Sequence, residues 1–436
     1  MNSLSFSVAP GGALRGRLRI PGDKSISHRA IILGAIAEGD TEITGFLEGE
    51  DTLATLAAFR AMGVPIENHG AGRIRLRGVG LRGLSAPAGP LYLGNSGTSM
   101  RLLAGVLAGQ SFSTELTGDG SLSRRPMRRI VGPLRAMGAQ VTASEDGTPP
   151  IRIRGGQTLS GIDYRMPMAS AQVKSCLLLA GLFASGRTCV EEPAPTRDHT
   201  ERMLRGFGHG PRRIPGKACI TGGGILRGKR VAVPGDISSA AFFLVGAAIA
   251  GGSDLVLENV GVNPTRIGIL RILGMMGANI SISNEGMAGG EPVADIRVRS
   301  HPLSGIRIPE QLAPLAIDEF PAVFVAAAFA KGQTTVTGVQ ELRAKESDRI
   351  AVMADGLNQL GIEAEPTPDG MIIQGGQATG GRIASHGDHR VAMAFAMAGL
   401  GAQDTIHIDD CANVNTSFPG FAEMAAGVGL RISAQS

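Results

Sequence analysis

The stretch Pro21-Gly22-Asp23-Lys24-Ser25-Ile26-Ser27-His28-Arg29 combines a turn signal with polar and basic residues. It follows the short segment Leu18-Arg19-Ile20 and precedes an apolar run over residues 30–35, so it predicts a strand, a tight turn and the start of a helix. The N-terminus of a helix attracts anions through its unpaired N–H groups and its dipole. The ammonium of Lys24 and the guanidinium of Arg29 could therefore hold a phosphate or a carboxylate there. A solvated helix start would show the same residues, and only the rest of the chain decides between the two.

The turn motif has a second copy, and further signals repeat along the chain. Ala232-Val233-Pro234-Gly235-Asp236 resembles the first copy and also precedes an apolar helix. Six glycines each follow a predicted helix at separations of 75, 70, 69, 84 and 68 residues. They are Gly63, Gly138, Gly208, Gly277, Gly361 and Gly429. This near-constant period predicts six units, each of the form strand–helix–strand–helix–strand.

The two Pro-Gly-Asp copies divide the six units into three plus three. They predict an α/β fold of two similar domains, residues 21–233 and residues 1–20 plus 234–436. Some helices, such as that over residues 240–250, are apolar on nearly every side and should be buried. We therefore expect inner helices and outer sheets in each domain, with an active site in the cleft between the domains.

Composition limits the classes of function. The chain has 436 residues, too many for one ordinary core. Its net charge is +4, its basic residues are dispersed, and only 4% of its residues are aromatic. An RNA-binding repeat protein would need a contiguous basic surface and aromatic side chains for stacking. The sequence therefore favours small anionic ligands over nucleic acid.

The sequence predicts a cytoplasmic protein. Its N-terminus shows no secretory signal pattern, and its longest apolar runs are far shorter than the roughly 20 residues of a membrane span. The four cysteines form no CxxC pair, so neither a zinc site nor a disulfide framework is expected. His386 and His389 flank Asp388 without a recurring third ligand, which favours hydrogen-bonded structural histidines over a metal site.

Basic residues cluster in several of the predicted turns. Arg124 and Arg125 follow a glycine-rich turn, Arg197 opens another helix, and Arg390 follows two histidines and an aspartate. Lys345 and Arg349 are four residues apart, so they share one face of a helix. Solvated basic faces would give the same pattern.

Taken together, these motifs resemble the family of 5-enolpyruvylshikimate-3-phosphate (EPSP) synthase from about Leu14 to about Gly429. The motifs are Pro21–Arg29, Gly94–Arg101, Leu116–Pro126, Ser170–Lys174, Thr196–His199, Ile317–Glu319, Leu342–Arg349, Asp388–Arg390 and Ser417-Phe418-Pro419. The resemblance implies two domains of three βαβαββ units each, the inside-out arrangement expected above. It also implies transfer of the enolpyruvyl group of phosphoenolpyruvate (PEP) to the 5-hydroxyl of shikimate 3-phosphate, with release of phosphate.

The resemblance assigns roles to individual residues. Those implied for shikimate 3-phosphate are Lys24, Ser25, Arg29, Ser170, Ala171, Gln172, Arg197, Asp318 and Lys345. Those implied for PEP are Lys24, Gly97, Arg125, Gln172, Arg349 and Arg390, with Arg124 as an alternative to Arg125. The implied catalytic residues are Asp318 as base and Glu346 or Lys24 as acid. No metal or organic cofactor, no nucleic acid and no membrane is implied, and the protein should be a monomer.

The chemistry fits these roles. Each phosphate carries about −1.5 to −2 charge, and seven of the implied residues are cations. A carboxylate can take the proton of the attacking hydroxyl, and a second acid can protonate the PEP methylene carbon. The cations would stabilise charge on the departing phosphate.

Three positions depart from the family pattern: Asp23 replaces a frequent Ser, Leu102 a frequent Pro, and Thr416 a Lys of some members. These departures resemble family members that are less sensitive to glyphosate. The related UDP-N-acetylglucosamine enolpyruvyl transferases are the nearest rival. They generally carry a cysteine near the Arg-Pro pair, and residues 121–126 contain none.

Overall fold

A computed structural model describes residues 4–435. The extreme ends of the second predicted domain, residues 1–3 and 436, lie outside the described residues. In the described part of the chain the helices are α1 (Lys24–Ala35), α2 (Glu50–Ala61), α3 (Gly97–Leu107), α4 (Arg128–Ala136), α5 (Ala171–Gly181), α6 (His199–Gly206), α7 (Ile237–Ile249), α8 (Gly268–Met275), α9 (Phe320–Ala328), α10 (Arg349–Gln359), α11 (His389–Ala398) and α12 (Phe421–Gly427). Short 3-10 segments are Leu122–Arg124, Glu310–Leu315, Gln340–Ala344 and Cys411–Thr416.

The strands are short and lie between the helices. They are β1 (Ser5–Val8), β2 (Arg15–Arg19), β3 (Glu38–Thr44), β4 (Ile66–Asn68), β5 (Ile74–Val79), β6 (Leu91–Tyr92), β7 (Thr114–Thr117), β8 (Gln140–Thr142), β9 (Ile151–Arg154), β10 (Asp163–Arg165), β11 (Arg187–Glu191), β12 (Arg212–Ile214), β13 (Lys217–Thr221), β14 (Arg230–Ala232), β15 (Asp254–Gly261), β16 (Asn279–Ala288), β17 (Glu291–Arg299), β18 (Gln333–Val336), β19 (Ala364–Thr367), β20 (Gly370–Gln374), β21 (Gly381–Ala384), β22 (Ile406–Asp409) and β23 (Ile432–Gln435).

The chain divides into two compact units. The N-terminal unit comprises Gly22–Pro234 and the short segment Met287–Glu291. The C-terminal unit comprises the described residues up to Pro21, Gly235–Gly286 and the described residues from Pro292 onward. Each copy of the Pro-Gly pair thus contains a boundary between units. The segment Met287–Glu291 has no counterpart in the sequence-based domain ranges, because no local signal indicates which unit a hairpin tip joins.

Six sheets, three in each unit, form from the described strands. The N-terminal unit has the strand orders β14-β3-β5-β4, β6-β7-β9-β8 and β10-β11-β13-β12. The C-terminal unit has β16-β17-β15-β2, β18-β20-β19 and β21-β22-β1-β23. In each N-terminal sheet the first pair is parallel and the others are antiparallel. This recurring arrangement agrees with the predicted repeat.

The buried helices lie at the centre of each unit's core. In the N-terminal unit α1, α3 and α5 are buried along nearly their whole length, and in the C-terminal unit α7, α9 and α11 are. The helices between them, such as α2 and α10, bury about half of their residues. Several strands alternate buried and exposed residues, as in β9 and β5, which is the pattern of a sheet that covers a core with one face.

The six glycines of the sequence period end six helices in the same way. Each adopts a positive φ, between 77° and 117°. At α2, for example, Gly63 N donates to Arg60 O and Val64 N donates to Phe59 O. These two bonds form a Schellman motif, which requires a left-handed residue that glycine supplies without steric strain.

The cysteines differ from expectation. Cys189 of β11 and Cys219 of β13 are joined by a disulfide, although the sequence predicts no disulfide framework. The two residues lie directly opposite each other in an antiparallel pair, with Cα atoms 4.0 Å apart. Their separation of 30 residues carries no recognisable spacing, so only the register of the strands brings them together. The other two thiols, Cys176 and Cys411, are buried, and burial raises the pKa of each to about 12.

Within residues 4–435, none of the helices combines the length and the apolar composition that a membrane crossing requires.

Candidate active site

The start of α1 carries the first group of predicted site residues. Asp23 caps the helix by accepting a hydrogen bond from Ile26 N at 2.9 Å. Lys24 begins the helix, and its Nζ forms an ion pair with a carboxylate oxygen of Asp51 in α2. Its side chain is 17% exposed, so the ammonium remains reachable. The sequence predicts Lys24 and Ser25 at this helix start, but not the carboxylate opposite Lys24.

Arg29 lies one turn further along α1, and its guanidinium is hydrogen-bonded to groups inside the protein. Its Nε donates to Thr200 Oγ1 at 2.7 Å, its Nη1 to Ser25 O at 2.8 Å and its Nη2 to Ser175 Oγ at 2.8 Å. Burial lowers the pKa of Arg29 to about 10, although the negative charge of Glu201 opposes this shift. Nη1 and Nη2 each carry a second N–H beyond these bonds. A substrate contact by Arg29 would use those groups.

A second group lies at the start of α3. Arg101 Nη1 donates to Gln172 Oε1 at 2.6 Å, and Gln172 Nε2 donates to Thr98 Oγ1 at 2.9 Å. A methyl group on Gly97 would lie 2.9 Å from Arg101 Nη1 and 3.3 Å from Arg125 Nη1. The structure therefore brings Gly97, Arg125 and Gln172 together around Arg101, a residue for which the sequence predicts no role.

The two candidate arginines beside this group differ in their exposure to solvent. Arg125 is buried and donates to Asn95 Oδ1 at 2.5 Å and Asn95 O at 3.2 Å. Arg124 is exposed at the end of the 3-10 segment Leu122–Arg124. Arg125 is thus the one that borders Gly97.

The start of α5 carries a third group. Ser170 caps the helix, since its Oγ accepts a hydrogen bond from Val173 N at 3.3 Å, and Ala171 and Gln172 form the first turn. Arg197 lies just before α6 and is partly exposed. Its positive charge contributes to lowering the pKa of Arg29, so the two guanidinium groups lie near each other. The predicted N-terminal residues therefore collect at the starts of α1, α3 and α5 and beside α6.

In the C-terminal unit the predicted residues surround Asp318. Lys345 Nζ lies 3.3 Å from Asp318 Oδ1, and Arg349 Nη1 lies 3.7 Å from the same oxygen. Arg390 Nη1 donates to the main-chain oxygen of Asp318 at 2.9 Å. Glu346 Oε2 accepts a hydrogen bond of 2.6 Å from Arg349 Nη2. The side chains of Asp318, Lys345 and Glu346 are 14%, 19% and 21% exposed, so a substrate could reach them.

Asp388 organises this second cluster. It caps α11 by accepting a hydrogen bond from Arg390 N, and it accepts two more from Arg349 Nε and Nη2. Burial opposes ionisation of Asp388, but the charge and hydrogen bond of Arg349, together with the charge of His389, hold the pKa of Asp388 below its usual value. The same ion pair holds the pKa of Arg349 above its usual value, against the effect of burial. Asp388 therefore remains a carboxylate that fixes the guanidinium of Arg349 and the main chain of Arg390.

Arg349 is more buried than a substrate contact would suggest. Only 1% of the residue is exposed, and Nε and Nη2 are bonded to Asp388 and Glu346. Nη1, the atom beside Asp318, has no hydrogen-bond partner within residues 4–435. A contact between Arg349 and a substrate would be made through Nη1.

Three residues of these clusters have no role in the sequence prediction: Asp51, Arg101 and Asp388. Asp388 lies within a quoted motif, and its position before an apolar helix is a capping signal. Arg101 follows Gly97 by four residues on one helix face. Asp51 carried no signal beyond its place in the first turn of α2.

The remaining predictions from the sequence concern metal sites and the positions that depart from the family pattern. Residues 4–435 contain no group of three or more His, Cys, Asp or Glu side chains placed to hold a metal ion. Thr416 is 3% exposed and donates to Asn413 O at 2.7 Å. Leu102 is fully buried in α3. Thr416 therefore offers no charge where some family members have a lysine.

Comparisons with known proteins agree with this picture. A family model described as EPSP synthase (3-phosphoshikimate 1-carboxyvinyltransferase) matches residues 8–424. A 3-phosphoshikimate 1-carboxyvinyltransferase of Nitrosococcus oceani is 68% identical over 431 residues, which are 99% of this chain and 97% of the relative. That of Alkalilimnicola ehrlichii is 67% identical with the same coverage.

A solved structure of EPSP synthase from Acinetobacter baumannii superposes with a TM-score of 0.90 at 58% identity, covering 99% of this chain and 100% of that one. This similarity confirms the predicted α/β fold and, with the family match, decides against the rival transferase. With its repeated units and its two clusters of charged residues, the chain therefore belongs to the EPSP synthase family, as its motifs predict.

Proposed function

We infer that the chain catalyses the reaction of its family: it transfers the enolpyruvyl group of PEP to the 5-hydroxyl of shikimate 3-phosphate and releases phosphate. The observation that carries this inference is the cluster around Asp318. It contains a partly exposed carboxylate beside the ammonium of Lys345 and the guanidinium of Arg349. A carboxylate in this position can accept a proton from an attacking hydroxyl.

The proposed chemistry follows from these positions. Asp318 takes the proton of the 5-hydroxyl as its oxygen attacks C2 of PEP, and an acid delivers a proton to the methylene carbon. Glu346 and Lys24 are both candidates for that acid. Loss of a methyl proton and departure of phosphate from the resulting intermediate then give the enol ether product. Cationic side chains stabilise the charge on the departing phosphate.

We assign to the two substrates the contact residues that the family resemblance implies. The proposed contacts of shikimate 3-phosphate are Lys24, Ser25, Arg29, Ser170, Ala171, Gln172 and Arg197 of the N-terminal unit, with Asp318 and Lys345 of the C-terminal unit. Those of PEP are Lys24, Gly97, Arg125 and Gln172, with Arg349 and Arg390. Each set contains cations, as two phosphorylated carboxylates require. A monomeric state and a cytoplasmic location remain predictions.

A steady-state assay tests the proposal directly. Purified protein is incubated with PEP and shikimate 3-phosphate, and phosphate release is measured. Parallel reactions contain shikimate, which lacks the phosphate, or UDP-N-acetylglucosamine, the acceptor of the rival family. We expect phosphate release with shikimate 3-phosphate and very little with the other two acceptors. Equal rates with UDP-N-acetylglucosamine would refute the assignment.

A further inference from the structure

Lys174 is a buried cation outside the proposed substrate contacts. It lies on α5, four residues after Ser170, and its side chain is only 2% exposed. Its Nζ lies 2.9 Å from Glu192 Oε2 and 2.9 Å from Glu201 Oε1. It also donates to the main-chain oxygen of Thr196 at 3.5 Å. One ammonium therefore joins α5 to α6 and to the loop between β11 and α6.

Burying such a group needs a physical reason. Desolvating an ammonium and two carboxylates is unfavourable, and replacing a buried ion pair with apolar residues is often neutral or stabilising. Stability alone is therefore a weak explanation for Lys174. Specifically, the ammonium contacts the loop over residues 192–196 at Glu192 Oε2 and at the main-chain oxygen of Thr196. Thr196 Oγ1 donates to the same Glu192 oxygen at 2.6 Å, so the loop is fixed at both of its ends.

That loop leads directly into a proposed substrate contact. Arg197 is the residue after Thr196, and its charge acts on Arg29 of α1. The loop contains Pro193 and Pro195, which cannot donate main-chain hydrogen bonds. Side chains must therefore supply part of its anchoring, and Lys174 and Glu192 do so.

The residues next to this ion pair reach Arg29 itself. Ser175 follows Lys174 on α5, and Thr200 precedes Glu201 on α6. Thr200 Oγ1 donates to Ser175 Oγ at 2.7 Å, and Arg29 donates to both hydroxyls. Two consecutive polar pairs thus connect α5 and α6, and the second pair holds the guanidinium of Arg29.

We propose that Lys174 is a positioning residue for shikimate 3-phosphate: it ties the loop before Arg197 and the start of α6 to α5, and so holds Arg197 and Arg29 in place for this substrate. The proposal rests on the proposed function, since Arg197 and Arg29 are assigned to shikimate 3-phosphate there. It predicts that loss of Lys174 weakens binding of shikimate 3-phosphate more than binding of PEP, whose proposed contacts are mostly elsewhere.

The test uses Lys174→Met in the full chain, with Lys217→Met as a matched control. Lys217 is in the same unit and forms a more exposed ion pair with Asp163, which should contribute little. Wild-type activity is measured first, and its absence would refute the proposed function rather than this proposal. In Lys174→Met we expect the KM for shikimate 3-phosphate to rise at least about tenfold. The KM for PEP should change less than about threefold, and the control should match wild type. Calorimetric titration with shikimate 3-phosphate should show the same loss of affinity.

Two further variants test whether Lys174 acts by holding the loop in position or only by balancing the charge of the two carboxylates. Lys174→Met/Glu201→Gln restores the net charge of the cluster but not the hydrogen bonds to the loop. We expect this variant to keep the raised KM for shikimate 3-phosphate. Thr196→Val leaves all buried charges intact and removes one anchor of the loop, so the KM should rise about threefold or more even if both lysine variants fail to fold. An unchanged KM for shikimate 3-phosphate in Thr196→Val or in a folded Lys174→Met, or full recovery in the double variant, would overturn the proposal.

Discussion

At the scale of single residues, the candidate site depends on side chains that hold one another. Asp318 lies beside Lys345 and Arg349, Arg349 is fixed by Asp388, and Gln172 is held by Arg101. A charged group fixed in this way loses little entropy when a substrate arrives, which favours catalysis by orientation. Substitutions that preserve shape but change one function are therefore the informative ones.

Asp318→Asn keeps the size of the proposed base but cannot accept a proton. We expect kcat to fall by about 10²–10⁴-fold, while the KM values for both substrates change only a few-fold. Asp254→Asn is the matched control, because Asp254 also lies beside two arginines, Arg297 and Arg299, but on an outer sheet. The control should retain the wild-type kcat. Near-normal turnover in Asp318→Asn would remove this residue from its role.

Gly97→Ala tests the crowded start of α3. The added methyl group would press on the guanidinium groups of Arg101 and Arg125, and both must shift slightly. In the proposed function this surface borders the PEP site, and the family resemblance implies that glyphosate would occupy the same site. Glyphosate is longer than PEP, so we expect its inhibition constant to rise about tenfold or more, and the KM for PEP to rise less. Gly132→Ala in α4, where a methyl group meets nothing within 4 Å, is the control. Equal changes in the two constants would show that the methyl group does not discriminate.

At the scale of elements, both ends of a helix follow from local chemistry. Asp23 and Asp236, from the two copies of the turn motif, cap α1 and α7 with their side chains. Glycines with positive φ end the six intervening helices α2, α4, α6, α8, α10 and α12. Capping bonds of both kinds satisfy N–H and C=O groups that a helix end would otherwise leave unpaired. The caps Asp23, Ser96 and Ser170 fix the starts of α1, α3 and α5, where the proposed contacts of the N-terminal unit lie.

Gly274, inside α8, and Gly277, just after its end, show how much a helix-ending glycine contributes to stability. Gly277 has φ of +92°, and a methyl group there would meet only Pro302 O, at 3.7 Å. Gly277→Ala should therefore lower the free energy of unfolding by about 1–2 kcal/mol through backbone strain alone. Gly274 lies inside the same helix, and a methyl group there meets nothing within 4 Å. Gly274→Ala should raise the free energy of unfolding by about 0.4–1 kcal/mol. Urea unfolding of both variants checks the prediction, and a loss of stability in both would contradict it.

At the scale of the whole molecule, a buried histidine links stability to pH. His28 lies in α1, and its Nδ1 is 2.8 Å from Thr55 Oγ1 of α2. Burial, followed by the charges of Lys24 and Arg29, lowers the pKa of His28 well below the ordinary value of 6.5. The unfolded chain therefore binds a proton below that pH and the folded chain does not. The stability that this group contributes is complete above about pH 6.5 and is lost as the pH falls.

The size of this effect can be isolated with His28→Asn, which cannot titrate. Between about pH 8 and about pH 5.5, the wild type should lose about 1.4 kcal/mol more unfolding free energy than the variant. Urea unfolding at both pH values measures the difference. Equal losses in the two proteins would show that His28 binds its proton in the folded state.

Local sequence signals are sufficient to predict the repeat, the ends of the helices and the family. The six glycines and the two Pro-Gly-Asp turns are readable because they act on the backbone within a few residues. The family motifs are readable because they are contiguous. These signals are sufficient to predict the α/β fold with three repeats in each half of the chain.

The contacts between distant side chains, in contrast, became visible only in the folded chain. It placed Asp51 opposite Lys24, buried Arg349 against Asp388 and joined Cys189 to Cys219. It also placed Lys174 between two carboxylates, 18 and 27 residues further along the chain. Such pairs depend on the register of strands and the packing of helices, and neither leaves a local pattern in the sequence. From the sequence alone, a charged side chain on a helix is expected to face solvent. Only the structure shows whether a neighbouring element covers it.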